Sequence, residues 1–247
     1  MLHYSRQFIL LGVAALLLAG CADQARAPSS AAQIESVAIL AGQGQQVQAG
    51  KQLRQWAEQG MPVAQRELGL MLLRTTAGQA EARLWLERAG CGGDGEAAFQ
   101  LGEAYYFARL GLAKDAAVAW KWYSLAAQGG DDKAALMLSR LAKYGDGVQQ
   151  DLALSVKWLK QASEQGNAQA MFLLSNAYLS GEGVQRDIVS ARVWLEKSAQ
   201  GDFPVAIQAL AMAMENGDLQ LQKDPVRARH LLKEAAEERH MHWNKTQ

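Results

Sequence analysis

Two cysteines and four histidines are few for a chain of 247 residues, and the shortage removes whole classes of chemistry. Cys21 and Cys91 cannot build the multi-bridge framework of a small secreted fold. His240 and His242 stand two apart, which a helix turns to different sides, and a zinc site needs more ligands than these. No Ser/His/Asp set, no H-E-x-x-H and no G-x4-G-K-[ST] occurs, so the usual marks of a hydrolase, a zinc protease or a nucleotide-binding loop are missing. Net charge is also missing. The 25 Lys and Arg balance 25 Asp and Glu, so there is no basic footprint for nucleic acid. Beyond residue 20, no apolar run reaches the roughly 20 residues that a membrane helix needs. Period-two alternation is absent, and only 4 prolines interrupt the chain. The expectation is an all-α protein, non-enzymatic, without metal or cofactor. The carboxylate pairs Glu96/Glu103 and Glu234/Glu238 are read as solvated helix faces, because nothing encloses them.

What the chain does have is a repeat, clearest over 168–202. Ala170, Leu173, Leu174, Ala177 and Tyr178 recur at helical spacing. Ser180-Gly181-Glu182-Gly183-Val184 then breaks the helix with two glycines that permit positive φ. Asp187 stands where an N-cap belongs. The next helix carries Ala191, Trp194, Leu195, Ser198 and Ala199 on one face and stops at Gly201. Asp115, Asp151, Asp187 and Asp224 are 36, 36 and 37 residues apart. Four positions after each comes Ala119, Ser155, Ala191 or Ala228. Seven after comes Trp122, Trp158, Trp194 or Leu231, and eleven after comes Ala126, Ala162, Ser198 or Ala235. The small positions admit a neighbouring helix and the large one fills the space between. One helical pair cannot bury such a stripe, so stacked copies must bury it for one another.

The A-x3-L-[GS] of the first helix, the G-x-G-V turn and the D-x3-A-x2-W-x3-A-A of the second together resemble the Sel1-like repeat, a relative of the tetratricopeptide repeat. The first element reads Ala64/Leu68/Gly69, Ala97/Leu101/Gly102, Ala134/Leu138/Ser139 and Ala170/Leu174/Ser175. The turn is clean only at Gly145/Gly147 and Gly181/Gly183. The resemblance implies a right-handed α-solenoid of about five to six helix–turn–helix units. Five copies are expected at 61–94, 95–131, 132–167, 168–202 and 203–240. A degenerate helical pair over 31–60 precedes them, and a frayed tail, 241–247, follows. Some secreted members of this family close each helical pair with disulfides, a pattern this chain lacks.

The first 20 residues read as a signal segment. Arg6 is followed by the apolar run Phe8–Leu18, 11 residues long, the length of a signal core. Leu18-Ala19-Gly20-Cys21 looks like a bacterial lipobox. That likeness implies acylation of Cys21, which would become the mature N-terminus on the tether 21–30, and more than one acyl chain anchors stably. Ala22, rather than Asp, favours the periplasmic face of the outer membrane over the inner one. Cys91 would then be alone, in the glycine-rich turn Ala89-Gly90-Cys91-Gly92-Gly93, as a plain turn residue or a redox thiol.

The candidate binding residues are aromatic. Of 7 Trp, 6 Tyr and 5 Phe, seven lie in the second repeat: Phe99, Tyr105, Tyr106, Phe107, Trp120, Trp122 and Tyr123. The template explains Tyr105 and Trp122 as core. It does not ask for Trp120, about 200° round the helix from Trp122. Nor does it ask for Tyr106, which shares a face with Phe99. Phe99, Tyr106, Phe107 and Trp120 are therefore either a locally aromatic core or a contact patch. The family resemblance implies an adaptor that binds envelope proteins and positions an envelope machine for polysaccharide export, secretion or wall remodelling. The alternative is a peptidoglycan- or exopolysaccharide-binding lipoprotein whose aromatic rings stack on sugars.

Overall fold

The fold is given by a computed structural model that describes residues 30–42, 47–74 and 76–245. The signal segment, Cys21 and the tether up to residue 29 lie outside the described residues. Among the described residues there are twelve α-helices and no strand. They are α1 (Ala31–Gly42), α2 (Val47–Glu58), α3 (Pro62–Leu72), α4 (Gln79–Cys91), α5 (Gly95–Tyr106) and α6 (Ala116–Gln128). They continue as α7 (Asp132–Tyr144), α8 (Leu152–Glu164), α9 (Ala168–Ser180), α10 (Ile188–Gln200), α11 (Pro204–Asn216) and α12 (Pro225–Lys245). Each helix packs mainly on its neighbours in sequence, with α1 also on α3. That is the one-dimensional contact order of a solenoid. The expected tail is helical as far as Lys245, because α12 runs through it.

The helix starts follow from side chains that capture free amides. Asp115, Asp151 and Asp187 accept from Val118, Leu154 and both Val189 and Ser190. Asp224 accepts from the Arg227 amide at 2.9 Å. The first helices are capped in the same way, by Asp94, Asp131 and Asn167. Met61 and Phe203 cannot cap, and there proline occupies the first turn instead, as Pro62 and Pro204. Proline has no amide to leave unsatisfied at that position.

The packing stripe has two large flanks, and only one was legible. The small residues Ala119, Ser155, Ala191 and Ala228 are buried, as are Ala126, Ala162 and Ser198. The sequence pattern makes the tryptophan the buried large residue. Trp85 is buried, as that pattern expects, but Trp122, Trp158 and Trp194 are half-buried, and the residue after each indole, Leu86, Tyr123, Leu159 or Leu195, is buried in every repeat from the first to the fourth. Consecutive helical residues diverge by about 100°, so the two point to either side of the small stripe. Leu86 and Tyr123 turn toward their own first helix, against Gly69 and Gly102. Trp122 turns toward the preceding second helix, against Gly90, and Trp158 meets Trp120 of α6 edge-on at 6.4 Å. The leucine or tyrosine closes each pair, and the indole bonds one pair to the next. Tyr105, expected in the core, is likewise only half-buried.

Two further devices hold successive units together. Gly147 and Gly183 have φ of +75° and +71°. Their Cα atoms sit so close to the backbone of Ala116 and Leu152, at the start of the preceding second helix, that a Cβ would collide with it. The second glycine of the turn therefore serves contact between repeats as well as reversal of the chain. At the N-terminal end Arg66 of α3 bonds Glu35 of α1 and Asp94 before α5, each at 3.0 Å, and Glu67 at 2.9 Å. Burial works against its charge, but the Glu67 hydrogen bond and the surrounding carboxylates outweigh it and raise the guanidinium pKa.

Gly166 also has a positive φ, +98°, but nothing lies near its missing Cβ. Gly166→Ala should lose roughly 1–2 kcal/mol for the left-handed backbone alone. Gly183→Ala should lose a further 1–3 kcal/mol, roughly the cost of overpacking. Urea unfolding of the two variants checks this, and equal losses would mean that the turn contact contributes nothing.

Candidate functional site

The aromatic residues of the second repeat divide into three settings. Trp120, half-buried on α6, packs on Trp158 of the next repeat. Phe99, half-buried on α5, lies 5.8 Å from the Tyr123 ring. Tyr106 and Phe107, at the end of α5, meet edge-to-face at 4.8 Å. Phe107 is 47% exposed, which sets it apart from the three half-buried rings. The structure thus brings Tyr106 and Phe107 together at the surface and places Phe99 and Trp120 in separate packing contacts, on Tyr123 and Trp158.

Around that pair lies a set of charges. Arg109 lies over Phe107 at 4.9 Å and Lys114 over Tyr106 at 5.1 Å. Lys114 also approaches Asp146 of the next turn, at 3.8 Å. Burial, then a hydrogen bond donated to Asp146, push the Tyr106 phenol above its usual pKa, so it remains a neutral donor. The backbone here departs from the G-x-G-V pattern. Ala108 and Leu110 take φ of +54° and +58° without being glycine, a cost of roughly 1–2 kcal/mol for each. Leu110 packs into the cluster of Leu86, Ala89 and Leu101, which holds the loop in that form. Strain of this kind is retained where the surroundings enforce it, and functional sites concentrate it.

A groove of about 510 Å3 lies between α7 and α9. Arg140, Lys143 and Tyr144 line one side, and Leu173 and Asn176 the other. Lys143 bridges it to Glu182 at 2.9 Å. Among the described residues no group of three or more His, Cys, Asp or Glu could hold a metal, and no helix is long and apolar enough to cross a membrane. Cys91 is an exposed free thiol.

The profile of the Sel1 repeat matches five times, at residues 62–94, 95–131, 132–167, 168–203 and 204–240. The chain belongs to the Sel1 repeat family. Members of this family are generally non-catalytic scaffolds for protein–protein interaction. Among solved structures, the chain is similar to a protective antigen of uropathogenic Escherichia coli strains with an SLR fold. The TM-score is 0.74 and the identity 26%, over 84% of this chain and 46% of that one. This chain therefore spans about half the length of that protein. It is also similar to a Sel1 repeat protein from Oxalobacter formigenes, with TM-score 0.65, 25% identity, and 83% and 85% of the two chains covered. No curated protein matches it.

One polar pair escaped the sequence reading of this Sel1 solenoid. Tyr123 is fully buried and donates its hydroxyl to Glu103 at 2.8 Å. Burial first, and that bond second, raise the phenol far above its ordinary pKa. Glu103, read as a solvated face, has a side chain only 19% exposed. The signal was present: Tyr123 stands where other repeats have Leu86, Leu159 and Leu195, and a phenol in a leucine slot needs an acceptor. Gly102 makes room, since a Cβ there would come within 2.6 Å of the ring. Tyr123→Phe should cost about 1.5–3 kcal/mol, the net worth of a hydrogen bond to a charged group. Gly102→Ala should cost roughly 1–3 kcal/mol by crowding a ring that cannot move. Thermal unfolding of both variants checks this, and a harmless Gly102→Ala would show that the ring has room.

Proposed function

We propose that this chain is a lipid-anchored adaptor on the periplasmic face of the outer membrane, held there by Cys21. Its solenoid binds other envelope proteins to assemble or position a cell-envelope machine such as one for polysaccharide export, secretion or wall remodelling. Phe107 carries the reading: an exposed ring under Arg109, braced by Tyr106 with Lys114 over it, in a turn that departs from the repeat pattern. Aromatic and arginine side chains dominate interface hot spots. Phe99 and Trp120, the other two aromatic candidates, pack on Tyr123 and Trp158 within the array. The groove between α7 and α9 gives a partner segment room to lie across two repeats.

Two experiments test the reading. Cys21→Ser should shift the protein from the membrane to the soluble fraction and remove the mass of the acyl chains. A wild-type protein of unlipidated mass in the outer membrane would refute the anchor. Phe107→Ala removes an exposed ring, so stability should change by less than about 0.5 kcal/mol. Capture of crosslinked envelope proteins should fall by about tenfold, equivalent to about 1.4 kcal/mol. Unchanged capture would refute the site, and retention on purified cell wall in place of protein partners would favour the glycan-binding alternative.

A further inference from the structure

Seven positions into every second helix of the repeats stands an indole, except in the last. Trp85, Trp122, Trp158 and Trp194 are followed in register by Leu231. The indole lies in the seam toward the preceding second helix, as Trp122 does against Gly90 and Trp158 against Trp120. The residue equivalent to Gly90 is Ala127, Ser163 or Ala199 in the later repeats, small in each. The seam between α10 and α12 therefore has the small wall, Ala199, and lacks the ring. A cavity of about 850 Å3 opens there, with Ala199, Leu210, Met214 and Leu231 among its apolar lining.

The charges around this cavity are unevenly satisfied. Asp224 is engaged as the cap of α12, accepting from the Arg227 amide at 2.9 Å. Glu196 pairs with Arg192 at 3.9 Å. Arg227 also lines the cavity, and its side chain makes no ion pair among the described residues. A ligand that completes the seam is thus an aromatic ring with a carboxylate beside it. We infer that the cavity between α10 and α12 is a binding site for an aromatic side chain neighboured by an acidic group, presented by a partner polypeptide. The ring takes the place that tryptophan holds in the four earlier repeats, and the carboxylate pairs with Arg227. The inference rests on the interaction reading only for the source of the ring. Binding of a small aromatic acid needs no partner and no membrane anchor, so either reading can fail alone.

The test titrates the full chain with indole-3-acetate and with tryptamine, which carry opposite charge beside the same ring, followed by ligand-detected NMR and calorimetry. Leu231→Trp fills the site from within. Wild type should bind indole-3-acetate, and Leu231→Trp should weaken that binding by about tenfold or more while its unfolding temperature holds or rises. Tryptamine should bind wild type at least about threefold more weakly, a preference that Arg227→Gln abolishes. If Leu231→Trp does not fold, Leu231→Phe supplies a smaller plug, with a smaller loss of binding expected. No binding of indole-3-acetate by wild type, or equal binding by a folded Leu231 variant, would overturn the proposal. So would a wild-type dimer that Leu231→Trp converts to monomer, since a second copy would then be the occupant.

Discussion

Everything in this molecule depends on how closely the second helix of each unit can approach its neighbours. Alanine, serine and glycine along one stripe remove the side-chain bulk between helices. The residues on either side of the stripe then make the contacts. One of them, leucine or tyrosine, locks the second helix to its own partner. The other, tryptophan, reaches the unit before. An isolated pair satisfies only the first contact, so the second makes stability a property of the stack. The same close approach explains the turn glycines, whose backbone presses on the preceding helix where no Cβ fits.

Departures from this pattern mark where the chain presents something new. In the second repeat a tyrosine replaces the locking leucine, and a glycine and a glutamate on α5 accommodate its ring and its hydroxyl. The adjoining turn gives up glycine at two left-handed positions and carries an exposed phenylalanine with Arg109 over its ring. In the fifth repeat leucine replaces the bonding tryptophan, and the seam opens into a cavity. Both sites for which a binding role is proposed arise where the packing code is broken.

The N-terminal end is held differently. Its first pair lacks the clean repeat pattern, and Arg66 joins it to the array by bonding carboxylates from α1, α3 and the start of α5. A buried charge of this kind is costly to leave unpaired. The register of α1 on α3 is therefore set by matching charges as well as by the apolar contacts of Ile34, Ala38, Leu53 and Trp56.

The helices, the aspartate caps of the second helices and the period are all legible in the residues alone, because these features are local. An aspartate reaches an amide three residues on, a glycine ends a helix, and a stripe of small residues recurs every 36 or 37 positions whatever surrounds it. The sequence also exposed the anomaly of the second repeat, since an aromatic excess is visible by comparison among copies. Which large residue is buried follows from the packed array instead. Trp122 and Tyr123 are adjacent in the chain, and no local rule says which neighbour each side of the stripe will meet. That array alone separated Phe107, facing solvent, from Trp120, seated on Trp158, because exposure depends on the next repeat rather than on the residue's own helix. The cavity at Leu231 is of the same kind: the missing ring can be read from the register, but the space exists only because α10, α11 and α12 surround it.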